Sequence, residues 1–124
     1  MKNLLDTHTI LWFLSGEKLS EKSKNLILTG INFISVVLLW EVAIKMNIGK
    51  FTFHGGFTAF LRLVKENGFI TLPIKDEYMM HLFELPLLHR EPYDRLIIST
   101  AIVEKLTLIT KDEDIQKYDI PWIW

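Results

Sequence analysis

The segment KNLLDTHTILWFLSG, residues 2–16, joins a short apolar strand to a helix through one acidic residue. Residues 2–5 predict a strand, whereas residues 7–16 carry apolar side chains at helical spacing and end at a glycine. Asp6 lies at the junction of the two elements. Strand and helix candidates alternate in the same way along the rest of the chain, and this alternation decides the predicted fold.

Four more short apolar segments predict strands, and the segments between them predict helices. The strand candidates are NFIS (32–35), FITLPI (69–74), TLIT (107–110) and IPWIW (120–124). The helix candidates are 21–30, with Ser20 as the N-cap, and then 36–49, 55–68, 75–85, 92–106 and 111–118. Short apolar strands alternating with helices are typical of a parallel sheet covered on both faces. We therefore expect one domain, residues 1–124, that forms a three-layer α/β/α sandwich around a mostly parallel sheet.

Composition excludes several classes of protein. The chain contains no cysteine, so disulfides and thiolate metal ligands are excluded. Its net charge of −1 shows no excess of positive charge, so any contact with nucleic acid must be local. No apolar stretch approaches the ~18 residues of a membrane span, and no signal peptide is recognisable. These features predict a cytoplasmic protein, and the hydrophobic content of 49% predicts a surface partly covered by a partner.

Four acidic residues occupy positions that predict a shared site. Asp6 and Asp112 follow the first and fourth predicted strands, at the edge where open parallel sheets bind ligands. Glu41 and Asp94 each align with apolar residues at helical spacing, so both should face the core. An isolated buried carboxylate costs several kcal/mol, and a divalent cation would compensate for it. Oxygen ligands without cysteine or clustered histidine favour Mg²⁺ or Mn²⁺.

Each of these acids also has a purely structural interpretation. Asp6 could cap the helix that follows it. Glu41 could form an i,i+4 pair with Lys45. Glu91 and Asp94 could be first-turn acids that the helix dipole favours. The joint arrangement of the acids favours the metal site over these separate explanations.

Four segments in chain order carry a wider resemblance. They are LLDTHTILWFL (4–14), ISVVLLWEVAIKMNIGKF (34–51), LPLLHREPYDRLIISTAIVEKLTLITKDEDIQKY (85–118) and IPWIW (120–124). Together they resemble the PIN-domain ribonucleases, specifically the VapC-like toxins of bacterial type II toxin–antitoxin pairs. The resemblance implies a PIN-like α/β/α sandwich and an endoribonuclease that hydrolyses RNA phosphodiester bonds with one or two Mg²⁺ or Mn²⁺ ions. It implies catalytic and metal-binding roles for Asp6, Glu41, Asp94 and Asp112.

Several further residues near these motifs are candidates for the site. Glu91 stands where relatives commonly have Asp, and Asp114 is a second acid within the run KDED at 111–114, which could also be a solvated charge run. Ser35 and Thr110, at the ends of the second and fourth strands, could bind a metal-bound water, orient an acid or cap the following helix.

Four basic residues flank the motifs and are candidates for RNA phosphate contacts: Lys45, Lys50, Arg90 and Arg95. Each could equally be a solvated surface charge. The resemblance also implies a homodimer and a cognate antitoxin. Because residues 8–30 are rich in apolar side chains, we expect a disordered antitoxin segment to fold across the first two helices. We expect it to place an arginine in the acidic pocket.

Two other functions can be weighed from the sequence. An aspartyl-phosphate phosphatase also uses an acid after its first strand, but that chemistry expects a second Asp where this chain has His8. A non-catalytic PIN-like module could bind RNA or a protein partner through the same surface. Retention of all four acids argues against that module, since binding alone does not require them.

Overall fold

A five-stranded sheet forms the centre of the computed structural model, which describes residues 1–124. Its strands are β1 (Lys2–Leu5), β2 (Ile31–Ser35), β3 (Ile70–Leu72), β4 (Thr107–Ile109) and β5 (Trp122–Ile123). The strand order is β3-β2-β1-β4-β5, and every neighbouring pair is parallel. The predicted parallel sheet and its five strands are confirmed, although the last strand contains only two residues.

Seven helices connect and cover the strands. They are α1 (Thr7–Ser15), α2 (Glu21–Thr29), α3 (Val36–Asn47), α4 (Gly56–Glu66), α5 (Asp76–Glu84), α6 (Pro92–Glu104) and α7 (Glu113–Gln116). The predicted ends of the first two helices are confirmed: Gly16 and Gly30 follow directly. None of these helices has the length and apolar character needed to cross a membrane.

The two faces of the sheet bury two separate apolar clusters. Leu4 and Leu108 pack into one cluster with Ile97, whereas Leu5 and Ile109 pack into the other. Adjacent residues of a strand point to opposite faces, so two consecutive leucines in β1 contribute to both clusters. This arrangement explains why the short strands are apolar without alternation, and it confirms the three-layer sandwich.

The order of the strands places a crevice beside the end of β1. The chain adds β2 and β3 on one side of β1 and then crosses to the other side to form β4. The connection after β1 therefore leads to one side of the sheet, and the connection after β4 leads to the other. Ligands bind at such a switch point in open α/β sheets. The hydroxyl of Thr9 fixes the start of α1 here by donating to the carbonyl of Ile109 over 2.9 Å.

Helix α6 brings further acids to this edge. Pro92 occupies its first turn, and the Glu91 side chain caps it by accepting a hydrogen bond from the backbone N–H of Tyr93 over 3.0 Å. Residues 97–101 of the helix are fully buried, which fixes its position on the sheet. Asp94 is consequently held in the first turn, beside the crevice.

Candidate metal centre

A small polar pocket of about 160 Å³ opens at the carboxyl edge of the sheet. Its lining combines residues from the β1–α1 junction, α3, the start of α6 and the β4–α7 connection. They are Asp6, Thr7, His8, Glu41, Lys45, Glu91, Asp94 and Asp112. The structure thus brings together the four acids predicted as ligands, with Glu91 as a fifth. We call this the acid pocket.

Asp6 is buried and held through both of its carboxylate oxygens. Its Oδ1 accepts a hydrogen bond from the backbone N–H of Thr9 over 2.9 Å, which caps α1. Its Oδ2 accepts a hydrogen bond from the hydroxyl of Thr110, and that hydroxyl oxygen accepts one from the backbone N–H of Asp112 over 3.0 Å. Burial raises the pKa of Asp6, and these hydrogen bonds oppose the rise. Thr110 therefore orients an acid, one of the roles that the sequence suggested.

Glu41 belongs to the acid pocket and also forms the ion pair with Lys45. The Nζ of Lys45 lies 2.7 Å from Oε2, and the hydroxyl of Thr7 donates to Oε1. This ion pair is not a surface pair, because Glu41 is only 4% exposed. The sequence did not predict that Thr7 belongs to the site, although its position directly after Asp6 was a signal for this role.

Lys45 supplies a cation to the acid pocket. Burial lowers its pKa, but the hydrogen bond and the charge of Glu41, with the charges of Glu91 and Asp94, outweigh that effect and raise the pKa. The ammonium group is thus held in the charged form by three carboxylates. A role as internal countercharge was not predicted from the sequence.

Asp94 shows most directly that the pocket concentrates negative charge. Burial and the charges of four neighbouring acids raise its pKa from 3.8 to about 8. Those neighbours are Asp112, Glu91, Asp6 and Glu41. A cation would neutralise this crowded negative charge, so the pocket would attract one.

Two other candidate residues lie outside the acid pocket. Asp114 is exposed and pairs with Lys117 over 2.8 Å, so the structure favours Asp112 over Asp114 as the ligand from this segment. Ser35 accepts a hydrogen bond from the backbone N–H of Val37 over 3.1 Å and caps α3. The capping interpretation of Ser35 is the one that the structure shows.

The candidate phosphate-binding residues occupy different environments. Lys45 is inside the acid pocket, Lys50 lines a neighbouring groove and Arg90 is exposed. The guanidinium of Arg95 instead donates to the carbonyls of Leu85 and Pro86, at 3.3 and 2.9 Å. Arg95 therefore fixes the loop before α6, and its prediction as a phosphate contact gains no support from this geometry.

The donor set of the acid pocket fits a hard divalent cation. Five carboxylates and no sulfur atom line it, which matches the oxygen ligands of Mg²⁺ and Mn²⁺. No three His, Asp or Glu side chains have the spacing of a formed metal site. Lys45, Thr7 and Thr110 engage oxygens of Glu41 and Asp6, so a cation would share or displace these contacts.

The chain belongs to the PIN-domain family, because residues 4–121 match the model of that family. Among solved structures, it resembles a chain of VapBC2 from Rickettsia felis, with 19% identity, a TM-score of 0.77 and coverage of 99% and 98% of the two chains. It also resembles VapBC-5, a toxin–antitoxin system of Mycobacterium tuberculosis, with 22% identity, a TM-score of 0.69 and coverage of 98% and 97%. The PIN domain endonuclease Utp24 is similar at 19% identity and a TM-score of 0.56, over 94% of this chain and 74% of that one. No curated protein matches the chain.

Removing the charge of Asp94 is expected to stabilise the metal-free protein in a pH-dependent way. Because its pKa is about 8 in the folded protein and near 3.8 when unfolded, ionisation destabilises the fold increasingly as pH rises between these values. In EDTA, Asp94→Asn should raise Tm by about 4 °C or more above pH 8, which is about 1 kcal/mol for a chain of this size. Near pH 4 it should leave Tm almost unchanged.

The control for this measurement is Asp114→Asn. Asp114 is exposed and its charge pairs with Lys117, so its replacement should give no gain at any pH. If Asp94→Asn raised Tm equally near pH 4 and above pH 8, the charge of Asp94 would not be what destabilises the fold.

Proposed function

We propose that this protein is a Mg²⁺- or Mn²⁺-dependent endoribonuclease that acts as the toxin of a toxin–antitoxin pair. The observation that carries the proposal is the convergence of five carboxylates from four segments on the acid pocket, at the switch point of the sheet. Membership of the PIN-domain family supports nuclease chemistry. The likeness to chains of toxin–antitoxin complexes supports the biological role.

Asp6, Glu41, Asp94 and Asp112 would hold the cation, with Glu91 beside them. A bound divalent cation supplies the positive charge that polarises a scissile phosphate and activates water. The protein contributes the fixed orientation of the carboxylates, which Thr7 and Thr110 hold by their hydroxyl groups. The remaining negative charge of the pocket repels RNA until cations balance it.

The phosphates of RNA would meet the basic residues around the acid pocket. Lys45 lies within it, Lys50 lines the neighbouring groove, and Arg90 is exposed next to Glu91. Such contacts are local, which agrees with a net charge of −1. An RNA substrate and a chain without cysteine fit a cytoplasmic protein.

The homodimer that we propose would use the exposed apolar surface around α5. Phe83 is 92% exposed and lies near Met79 and Met80 in the same helix, with Leu87 and Leu88 in the following loop. Apolar side chains of this size in one segment mark an interaction surface. This surface is separate from the residues that line the acid pocket.

The antitoxin segment is proposed to lie in a groove of about 870 Å³ next to the acid pocket. His8 lines both cavities, so a chain lying in the groove can reach the acids. The walls come from α1 and from residues 50–63, including Trp12 and Leu63. Our proposal therefore keeps α1 as one wall and takes α4, in place of the α2 expected from the sequence, as the other.

A non-catalytic PIN-like module that binds RNA or a partner is the alternative. It would use the same groove and the same basic residues. It gives no reason for crowding five acids into one pocket, where burial and the charges of the other four raise the pKa of Asp94 to about 8. Metal-dependent cleavage of RNA separates the two functions.

Replacing a carboxylate with its amide should remove the activity while preserving the fold. Asp6→Asn and Asp94→Asn should each lower Mn²⁺-dependent RNA cleavage by more than about 100-fold, since loss of a ligand exceeds the 10- to 100-fold effect of losing a supporting hydrogen bond. The assay compares each variant with the wild type, in Mn²⁺ and in EDTA. Asp114→Asn is the matched control and should retain activity; equal cleavage by all proteins would refute the assignment.

A second pair of variants separates ligand from ion pair at Glu41. Glu41→Gln should abolish Mn²⁺-dependent cleavage, because it removes a carboxylate from the pocket. Lys45→Ala should retain most of the cleavage, because every carboxylate of the pocket remains and Lys50 and Arg90 can still contact RNA phosphates. If both variants lost thermal stability equally and both still cleaved RNA, Glu41 would be a structural partner of Lys45 alone.

A third prediction concerns the antitoxin. When the small gene adjacent to its own is co-expressed, its product should bind the protein and suppress Mn²⁺-dependent cleavage. Leu63→Glu should weaken that complex by at least about 10-fold, since a charge would be buried in the groove. Met80→Glu, at an exposed position of α5, should not affect it. Binding that is insensitive to Leu63→Glu, or that leaves cleavage unchanged, would show that the segment lies elsewhere.

A further inference from the structure

The imidazole of His89 links a carboxylate of the acid pocket to a buried tyrosine. It lies in the loop between α5 and α6, and its side chain is 10% exposed. Its Nε2 is 3.3 Å from Oδ2 of Asp94, and its Nδ1 is 2.9 Å from the hydroxyl of Tyr118. The ring is therefore engaged through both nitrogens.

The hydrogen bonds of Tyr118 determine which nitrogen of His89 carries the proton. The hydroxyl oxygen accepts from Nη1 of Arg95 over 2.9 Å and from the backbone N–H of His89 over 3.3 Å. Because the oxygen already accepts these two hydrogen bonds, its own hydrogen is directed to Nδ1 of His89, which accepts it. A neutral imidazole that accepts at Nδ1 carries its hydrogen at Nε2, which faces Asp94.

Arg95 sets the direction of this chain. Its guanidinium has donors only and stays protonated, and it is fixed by the carbonyls of Leu85 and Pro86. Donation consequently runs one way, from Arg95 to Tyr118, from Tyr118 to His89 and from His89 to Asp94. Reversing any step would leave the Tyr118 hydroxyl without an acceptor.

We propose that His89 is a positioning residue: held in the Nε2–H tautomer by Tyr118 and Arg95, it donates to Oδ2 of Asp94 and leaves Oδ1 to bind the divalent cation. This inference rests on the proposed metal-dependent function. Groups that hydrogen-bond a metal-binding side chain fix its orientation, and their loss lowers metal affinity by about 10- to 100-fold. His89 thus acts on the cation only through Asp94.

The tautomer can be measured without metal. In EDTA, the ¹⁵N NMR signals of the neutral His89 ring should show its hydrogen on Nε2. Tyr118→Phe removes the donor to Nδ1 and should shift the population toward the Nδ1–H tautomer. A wild-type ring with its hydrogen on Nδ1 would overturn the proposal.

The effect on Asp94 is measured by Mn²⁺ titration. His89→Ala should weaken binding about 10-fold or more, whereas His89→Gln, whose amide can donate to Asp94, should recover most of the affinity. Tyr78→Phe is the matched control: it removes another buried hydroxyl, bonded to Glu104 over 2.5 Å, and should leave Mn²⁺ affinity unchanged.

The outcomes separate this inference from the proposed function. Equal affinities for the wild type, His89→Ala and His89→Gln would overturn the positioning role while leaving the metal site intact. A wild-type protein that binds no Mn²⁺ would overturn the metal site and with it any effect of His89 on that site. The NMR spectrum would still decide the direction of the hydrogen bonds.

Discussion

Repulsion among the carboxylates at the end of β1 is the constraint on which the rest of the site depends. Five acids line the pocket of about 160 Å³, where burial and the charges of its neighbours raise the pKa of Asp94 to about 8. The fold tolerates this charge through groups that bind the acids individually, among them Lys45, Thr7 and Thr110. Two buried apolar clusters pack the strands and helices that carry the acids. The fold thus opposes repulsion that a divalent cation would relieve.

Structural roles and proposed functional roles coincide at these acids. Asp6, Glu91 and Asp112 each cap a helix, and each also lines the acid pocket. Helix N-termini attract negative charge, so an N-cap position lowers the cost of placing an acid there. The capping interpretation of Asp6 is confirmed by its contacts, and its role as a metal ligand stays a prediction. An acid that begins a helix at the carboxyl edge of a parallel sheet can serve both purposes.

The sequence predicted what depends on local pattern and failed where contacts connect distant segments. The strands, the order of helices and the clustering of Asp6, Glu41, Asp94 and Asp112 followed from apolar spacing and strand ends. The hydrogen bond from Tyr118 to His89 joins residues that are 29 positions apart. It also depends on which groups donate to the Tyr118 hydroxyl, and residue spacing does not show this. Arg95 was assigned to phosphate for the same reason, since its partners lie 6 to 23 residues away. The choice between Asp112 and Asp114 likewise required the position of Lys117.

In the proposed system, the charge of the acid pocket would connect catalysis with inhibition. The ammonium of Lys45 lies 2.7 Å from Glu41 and serves as a countercharge. A divalent cation would compete with that ammonium, and so would a basic side chain that an antitoxin placed there through the adjoining groove. An arginine can bind two carboxylate oxygens at once, which an ammonium group does less well. In the proposed system, the active and inhibited states would therefore differ in which cation balances the same five acids, while the fold stays the same.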